Sequence, residues 1–125
     1  MKIDPNANAI KLQVEIFGEN CSVVVKGILD TGASYVMIPW KVAEKLGYDP
    51  VKTKERISIT TASSTEKVPL ITLKKVIVSG VEKSDVLAVC HDLPPQINID
   101  VLIGLSFLKR HTTTIDLKDG EIIII

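Results

Sequence analysis

Ile10, Leu12, Val14 and Ile16 alternate with Lys11, Gln13 and Glu15, the period of two that a half-buried β-strand requires. The same bias runs through the chain. Of its 125 residues 46% are hydrophobic but only 4% aromatic, so the apolar content is aliphatic and suits pleated surfaces. At this length the chain makes one domain, small enough that some apolar surface is expected to bury against a partner. Gly18-Glu19-Asn20 turns the first strand into a second, Cys21 to Leu29. Its Val23, Val24, Val25, Ile28 and Leu29 are expected to bury on both faces.

Turn residues divide the rest of the chain. Tyr35 to Ile38 reads as a short strand ended by Pro39, which opens a helix over Trp40 to Leu46 with Gly47 as its stop. Val42, Ala43 and Leu46 form that helix's inward face. Glu55 to Thr60 and Val68 to Val78 make a hairpin with a small polar tip, Thr61 to Glu66. Ser84 to Cys90 is another strand, and His91 to Asp100 a loop carrying Pro94-Pro95. Val101-Leu102-Ile103 then runs into Gly104 and a short helix through about Arg110. Thr112 to Leu117 and Glu121 to Ile125 form a last hairpin around Lys118-Asp119-Gly120. Exposed, the terminal run Ile122 to Ile125 would be an aggregation-prone edge, so it is expected to pair and bury. The reading is therefore mostly all-β with one or two short helices: a lead-in over residues 1–9 and one domain over 10–125.

Several function classes fall away. Fifteen basic and fifteen acidic residues balance to a net charge of zero, and no basic cluster is denser than Lys74-Lys75. A phosphate-tracking surface is not expected, and so no nucleic-acid partner. No apolar run approaches the ~20 residues that span a bilayer, and Met1 to Asn6 lacks the apolar stretch of a signal peptide. No membrane partner and a cytoplasmic location are the expectations. Cys21 and Cys90 are too few for a zinc knuckle, so no metal is expected; both are expected to be buried and reduced. Cys90-His91-Asp92 suggests thiol chemistry, but neighbours on a strand point to opposite faces.

The chemistry concentrates at Ile28-Leu29-Asp30-Thr31-Gly32-Ala33-Ser34, an apolar strand running straight into a carboxylate. Gly32 suits a sharp turn and the close approach of another backbone, and Thr31 brings a hydroxyl able to bond a neighbour. The same triplet also suits a plain strand-end turn. A structural β-sandwich with a chance triplet would then be a monomer.

Taken together, Asp30-Thr31-Gly32-Ala33-Ser34, the helix opened by Pro39, the hairpin around Ser63 and the apolar-apolar-Gly of Leu102-Ile103-Gly104 resemble the retropepsin-like aspartic proteases, in their cellular and prokaryotic form. The likeness runs from about Ile10 onward. It implies a closed β-barrel-like half-site in an obligate homodimer, because the chain has one such triplet and the reaction takes two facing carboxylates. The activity implied is hydrolysis of a peptide or protein substrate by a water held between two copies of Asp30, with no cofactor. By the same likeness Thr31 braces the two loops across the dimer axis, Gly32 admits the substrate backbone, and the hairpin around Ala62 and Ser63 is a flap. Ala33, Ser34, Ala62, Ser63, Ile38 and Leu102 are the expected substrate contacts, with Ile28, Val36 and Ile59 as further pocket candidates. The chain termini would lie at or near the dimer interface. Two departures stand out: Ala33-Ser34-Tyr35 follows the triplet where viral members carry acidic residues, and Gly104-Leu105-Ser106 replaces Gly-Arg-Asn or Gly-Arg-Asp. The charged network of those residues cannot form here, and the tip Ala62-Ser63-Ser64 lacks glycine. A non-catalytic peptide-binding or dimerisation module on the same fold is the alternative.

Overall fold

The alternating segment becomes β1 (Lys11–Phe17), and it pairs antiparallel with β2 (Ser22–Leu29) from Lys11↔Ile28 to Phe17↔Ser22. A computed structural model of the chain describes residues 1–60, 62–94 and 100–125. Thr61 of the expected hairpin tip, and residues 95–99 of the loop expected after His91, lie outside the described residues. The remaining strands are β3 (Val36–Ile38), β4 (Arg56–Thr60), β5 (Thr65–Val78), β6 (Val81–Cys90), β7 (Val101–Ile103), β8 (Thr113–Asp116) and β9 (Glu121–Ile124). Two short helices, α1 (Trp40–Lys45) and α2 (Leu105–Leu108), complete the described elements.

The strands run in the order β1-β2-β7-β3-β6-β5, and β5 returns to β1 through the register Val14↔Val78 to Phe17↔Lys75. That pairing closes a barrel, which removes the open edges of the sheet. β4 stands outside the ring and pairs with the first residues of the 14-residue β5. One long strand thus carries the outlying hairpin at one end and closes the barrel at the other.

Inside the ring Val14, Ile16, Leu73, Val76, Val78, Val86, Val101 and Ile103 are fully buried around Phe107. The period-two pattern predicted this face for β1. It overestimated β2: Val24 is 58% exposed and Val23 and Val25 only half-buried. Burial reaches β2 at Gly27 and Leu29, where β7 lies alongside it. Of the expected inward face, Ala43 in α1 and Leu46 just past it are buried and Val42 is partly so, and Gly47 at φ +89° ends the turn. α2 stops at Leu108 instead of Arg110, because Lys109 turns to ψ 141° and Arg110 sits at φ +68°.

The C-terminal run pairs in β9 with β8, and burial alternates along it. Ile122 and Ile124 enter the core, whereas Ile123 is 46% and Ile125 77% exposed. The other edge of β9 takes the chain start: the Met1 ammonium donates to the Ile122 carbonyl at 2.9 Å and Ile3 N–H to the Gly120 carbonyl at 2.8 Å.

Candidate active site

β7 threads between two strands, parallel to β2 through Gly27↔Val101, Ile28↔Leu102 and Leu29↔Ile103, and antiparallel to β3 at Met37↔Leu102. The chain leaving β2 must therefore step over the end of β7 to reach β3, and Asp30 to Tyr35 make that step. Asp30 N–H donates to the Ile103 carbonyl at 2.9 Å, which anchors the residue to β7. Gly32 N–H donates to Asp30 Oδ1 at 2.9 Å, and Ala33 N–H to the Asp30 carbonyl at 3.2 Å. An acidic side chain clasped by a backbone amide two residues on is a tight, locally determined turn. The strand-end turn and the candidate carboxylate are here the same structure.

The far side of the loop rests on α2. Leu105 N–H donates to the Ala33 carbonyl at 2.8 Å and Ser106 N–H to the Ser34 carbonyl at 2.9 Å. Contact is so close that a Cβ on Gly104 would stand 2.5 Å from the Tyr35 oxygen and 2.6 Å from the Ala33 oxygen. Only glycine fits without moving backbone.

Asp30 borders a cavity of about 380 Å³. Gly32, Ala33 and Ser34 line its floor with Met37, Val89 and Leu102, and Ile57 and Ile59 of β4 line the opposite wall. Among the expected contacts, Gly32, Ala33, Ser34, Leu102 and Ile59 meet here; Thr31 is exposed beside Asp30. Ile38 does not belong with them. It is 0% exposed in the core, as is Val36, because β3 turns alternate side chains inward. Met37, between them, faces the cleft, and the apolar run Val36-Met37-Ile38 gave no sign of which parity would win. Ile28 is half-buried opposite Leu102. Ser63 lines an adjoining cavity of about 610 Å³ that shares Met37, Ile59 and Thr60 and ends at Glu66, His91 and Asp92. Ala62 is exposed at the hairpin tip.

A hydrogen bond spans that outer cavity: His91 Nε2 and Glu66 Oε2 lie 2.8 Å apart, tying the tip end of the β4–β5 hairpin to the residue that follows β6. Asp92 is turned away, its Oδ1 accepting from Trp40 N–H at 3.1 Å. The Cys90 thiol is buried and pushed up to about 11, first by loss of water and then by the Asp92 charge. A neutral thiol of that kind is no nucleophile at neutral pH. Cys21 corrects the expectation of burial: it is exposed, at the turn into β2, with its Sγ 3.6 Å from the Lys45 carbonyl oxygen.

Sequence reasoning missed the supports beneath the loop, the Ser106 hydroxyl and the Lys83 ammonium. A lone Ser two residues after a Gly, and a Lys just ahead of the strand expected from Ser84, carry no spacing signal; β6 in fact begins at Val81 and takes Lys83 in. Only the packing of α2 against β6 makes them neighbours.

Residues 12–110 match the family described as "gag-polyprotein putative aspartyl protease". Protein DDI1 homolog 2 of Mus musculus is 29% identical over 116 residues, which cover 90% of this chain and 28% of that protein. DNA damage-inducible protein 1 of Saccharomyces cerevisiae is 30% identical over 96 residues, 77% of this chain and 22% of that protein. The chain thus spans about a quarter of the length of the curated relatives it matches. Among solved structures, a retropepsin-like aspartic protease from Rickettsia conorii superimposes with a TM-score of 0.73 at 30% identity, covering 99% of this chain and 87% of that one.

Proposed function

The chain belongs to the retropepsin-like aspartyl protease family, and from that premise we propose that it is an endopeptidase whose water is activated by two Asp30 carboxylates, one from each subunit of a homodimer. The observation that carries this reading is the Asp30 carboxylate, clasped by the Gly32 amide at the floor of a cleft with apolar walls. A single chain supplies one such carboxylate. The exposed Ile123 and Ile125 at the paired chain ends give a second copy apolar surface to cover.

Two carboxylates within hydrogen-bonding distance cannot both stay ionised, so the pair holds one proton; aspartic-protease dyads are the standard case. The ionised member takes a proton from the water as its oxygen attacks the scissile carbonyl carbon. The protonated member hydrogen-bonds to the carbonyl oxygen as negative charge gathers there. Collapse of the tetrahedral intermediate breaks the C–N bond, and a proton from the dyad leaves with the amine. The substrate lies extended between the Ile57–Ile59 edge and the floor, where Met37, Ile59 and Leu102 favour apolar side chains.

The test is cleavage of a diverse peptide library by the chain and by Asp30→Asn, from acid to neutral pH, read by mass spectrometry. Cuts made only by the unaltered chain support the proposal. Activity that survives in Asp30→Asn overturns the mechanism, and peptides bound by both proteins but cut by neither favour the non-catalytic module.

A further inference from the structure

Four residues make a poor helix on their own, since the cost of a first turn is not recovered over so short a run. Yet α2 is the platform on which the Asp30 loop rests, so something else must hold it. Ser106 is one support. Its hydroxyl accepts from Val36 N–H at 2.8 Å and donates to the Leu87 carbonyl at 2.7 Å, joining α2 to β3 and β6 with both donor and acceptor used. Lys83 is the other. From β6 its ammonium donates to the Ser106 carbonyl at 2.9 Å, the Lys109 carbonyl at 3.1 Å and the Phe107 carbonyl at 3.3 Å.

Those carbonyls close the helix, where oxygens lack intrahelical partners and a cation is favoured. Three donors on one ammonium satisfy three of them at once. Burial, then the charges of Arg110 and Lys109, lowers the lysine's affinity for its proton, so the brace rests on the three hydrogen bonds themselves. The connection then runs without a break. Lys83 holds the end of α2, Ser106 holds its middle, and the amides of Leu105 and Ser106 hold the carbonyls of Ala33 and Ser34. The carbonyls of Ala33 and Ser34 belong to the loop that sets Asp30.

We infer that Lys83 and Ser106 are positioning residues that fix the Asp30 half-site within a single chain, ahead of any contact with a second copy. The role given to Asp30 rests on the proposed endopeptidase function; the brace itself does not.

Amide hydrogen exchange by NMR on the whole chain tests this, comparing Ser106→Ala, Lys83→Met and Lys83→Arg, with peptide hydrolysis measured in parallel. In Ser106→Ala and Lys83→Met the amides of Gly32 and Leu105 are expected to exchange about tenfold faster, the effect of losing a well-placed hydrogen bond, while those of β1 and β5 keep their rates. With a cleaved peptide, kcat falls by a similar factor at unchanged KM, and Lys83→Arg restores both readouts. Unchanged exchange at Gly32 and Leu105, or equal acceleration through the whole barrel, overturns the inference. Should the unaltered chain cleave no peptide, the proposed function fails and the exchange rates still decide the brace. Should Lys83→Met not fold, Ser106→Ala decides it alone.

Discussion

The floor of the cleft and the β4–β5 hairpin facing it are built to opposite standards. Around Asp30 the backbone is bonded to β7 through Ile103 and to α2 through Ala33 and Ser34, and a Cβ on Gly104 would have nowhere to go. Among the described residues β4 pairs with one strand, and Ser58, Thr60 and the stretch from Ala62 to Lys67 are exposed. The hairpin is linked to the barrel wall by the partly exposed His91–Glu66 pair. A reacting carboxylate has to be held within fractions of an ångström, whereas a cover has to yield to let substrate in. Under the proposed function these are the two demands the floor and the hairpin answer, with buried backbone bonds at the one and few at the other.

That contrast can be tested from its strongest point downward. Asp30→Asn is expected to lower peptide hydrolysis by about 10²–10⁴-fold, the range for loss of a general base, without lowering the urea midpoint. The asparagine oxygen can still accept from Gly32 N–H, so a large fall in stability would mean that the loop needs the charge itself. Gly104→Ala comes next, at ~1–3 kcal/mol in denaturant unfolding, because its Cβ meets backbone that cannot give way cheaply. Ser63→Ala, the matching change at the hairpin tip, should stay within about 0.5 kcal/mol. Comparable losses from the two would erase the distinction between floor and hairpin.

Cys90 sharpens the comparison through pH. Its folded value, about 11, lies above the ordinary thiol value of 9.0. A thiol raised in this way stabilises the fold fully below pH 9 and loses that contribution as pH rises through about 11. The urea midpoint should thus fall over that window and fall less in Cys90→Ala. Thiol labelling at pH 8 should reach exposed Cys21 first and Cys90 only on unfolding. Smallest of all, Glu66→Gln removes a surface pair worth ~0.2–1 kcal/mol. It should change KM a few-fold at most and move the unfolding midpoint by no more than that small amount.

Much of this arrangement was legible in the residues. Strict alternation in Ile10–Ile16 located β1 and its buried face, Pro39 and Gly47 bracketed α1, and Asp30-Thr31-Gly32 after an apolar strand marked the loop over β7. Continuous apolar runs were less informative. Val23-Val24-Val25 looked buried on both faces, yet Val24 is exposed and its two neighbours are only half-buried, and Val36-Met37-Ile38 concealed which residue would face the cleft. A uniform run carries no phase, so the neighbouring strand decides the phase.

Local chemistry in the sequence was enough to set strands, turns and the tight turn at Asp30, since alternation, turn residues and an amide–carboxylate clasp act over a few residues. Which strands become neighbours was a tertiary outcome. The insertion of β7 between β2 and β3, and the placing of Lys83 and Ser106 under a loop some fifty to seventy residues away in the chain, depend on contacts that no short window contains. Alternation specifies that a face must be buried, but not against what; closing the barrel supplied the partner.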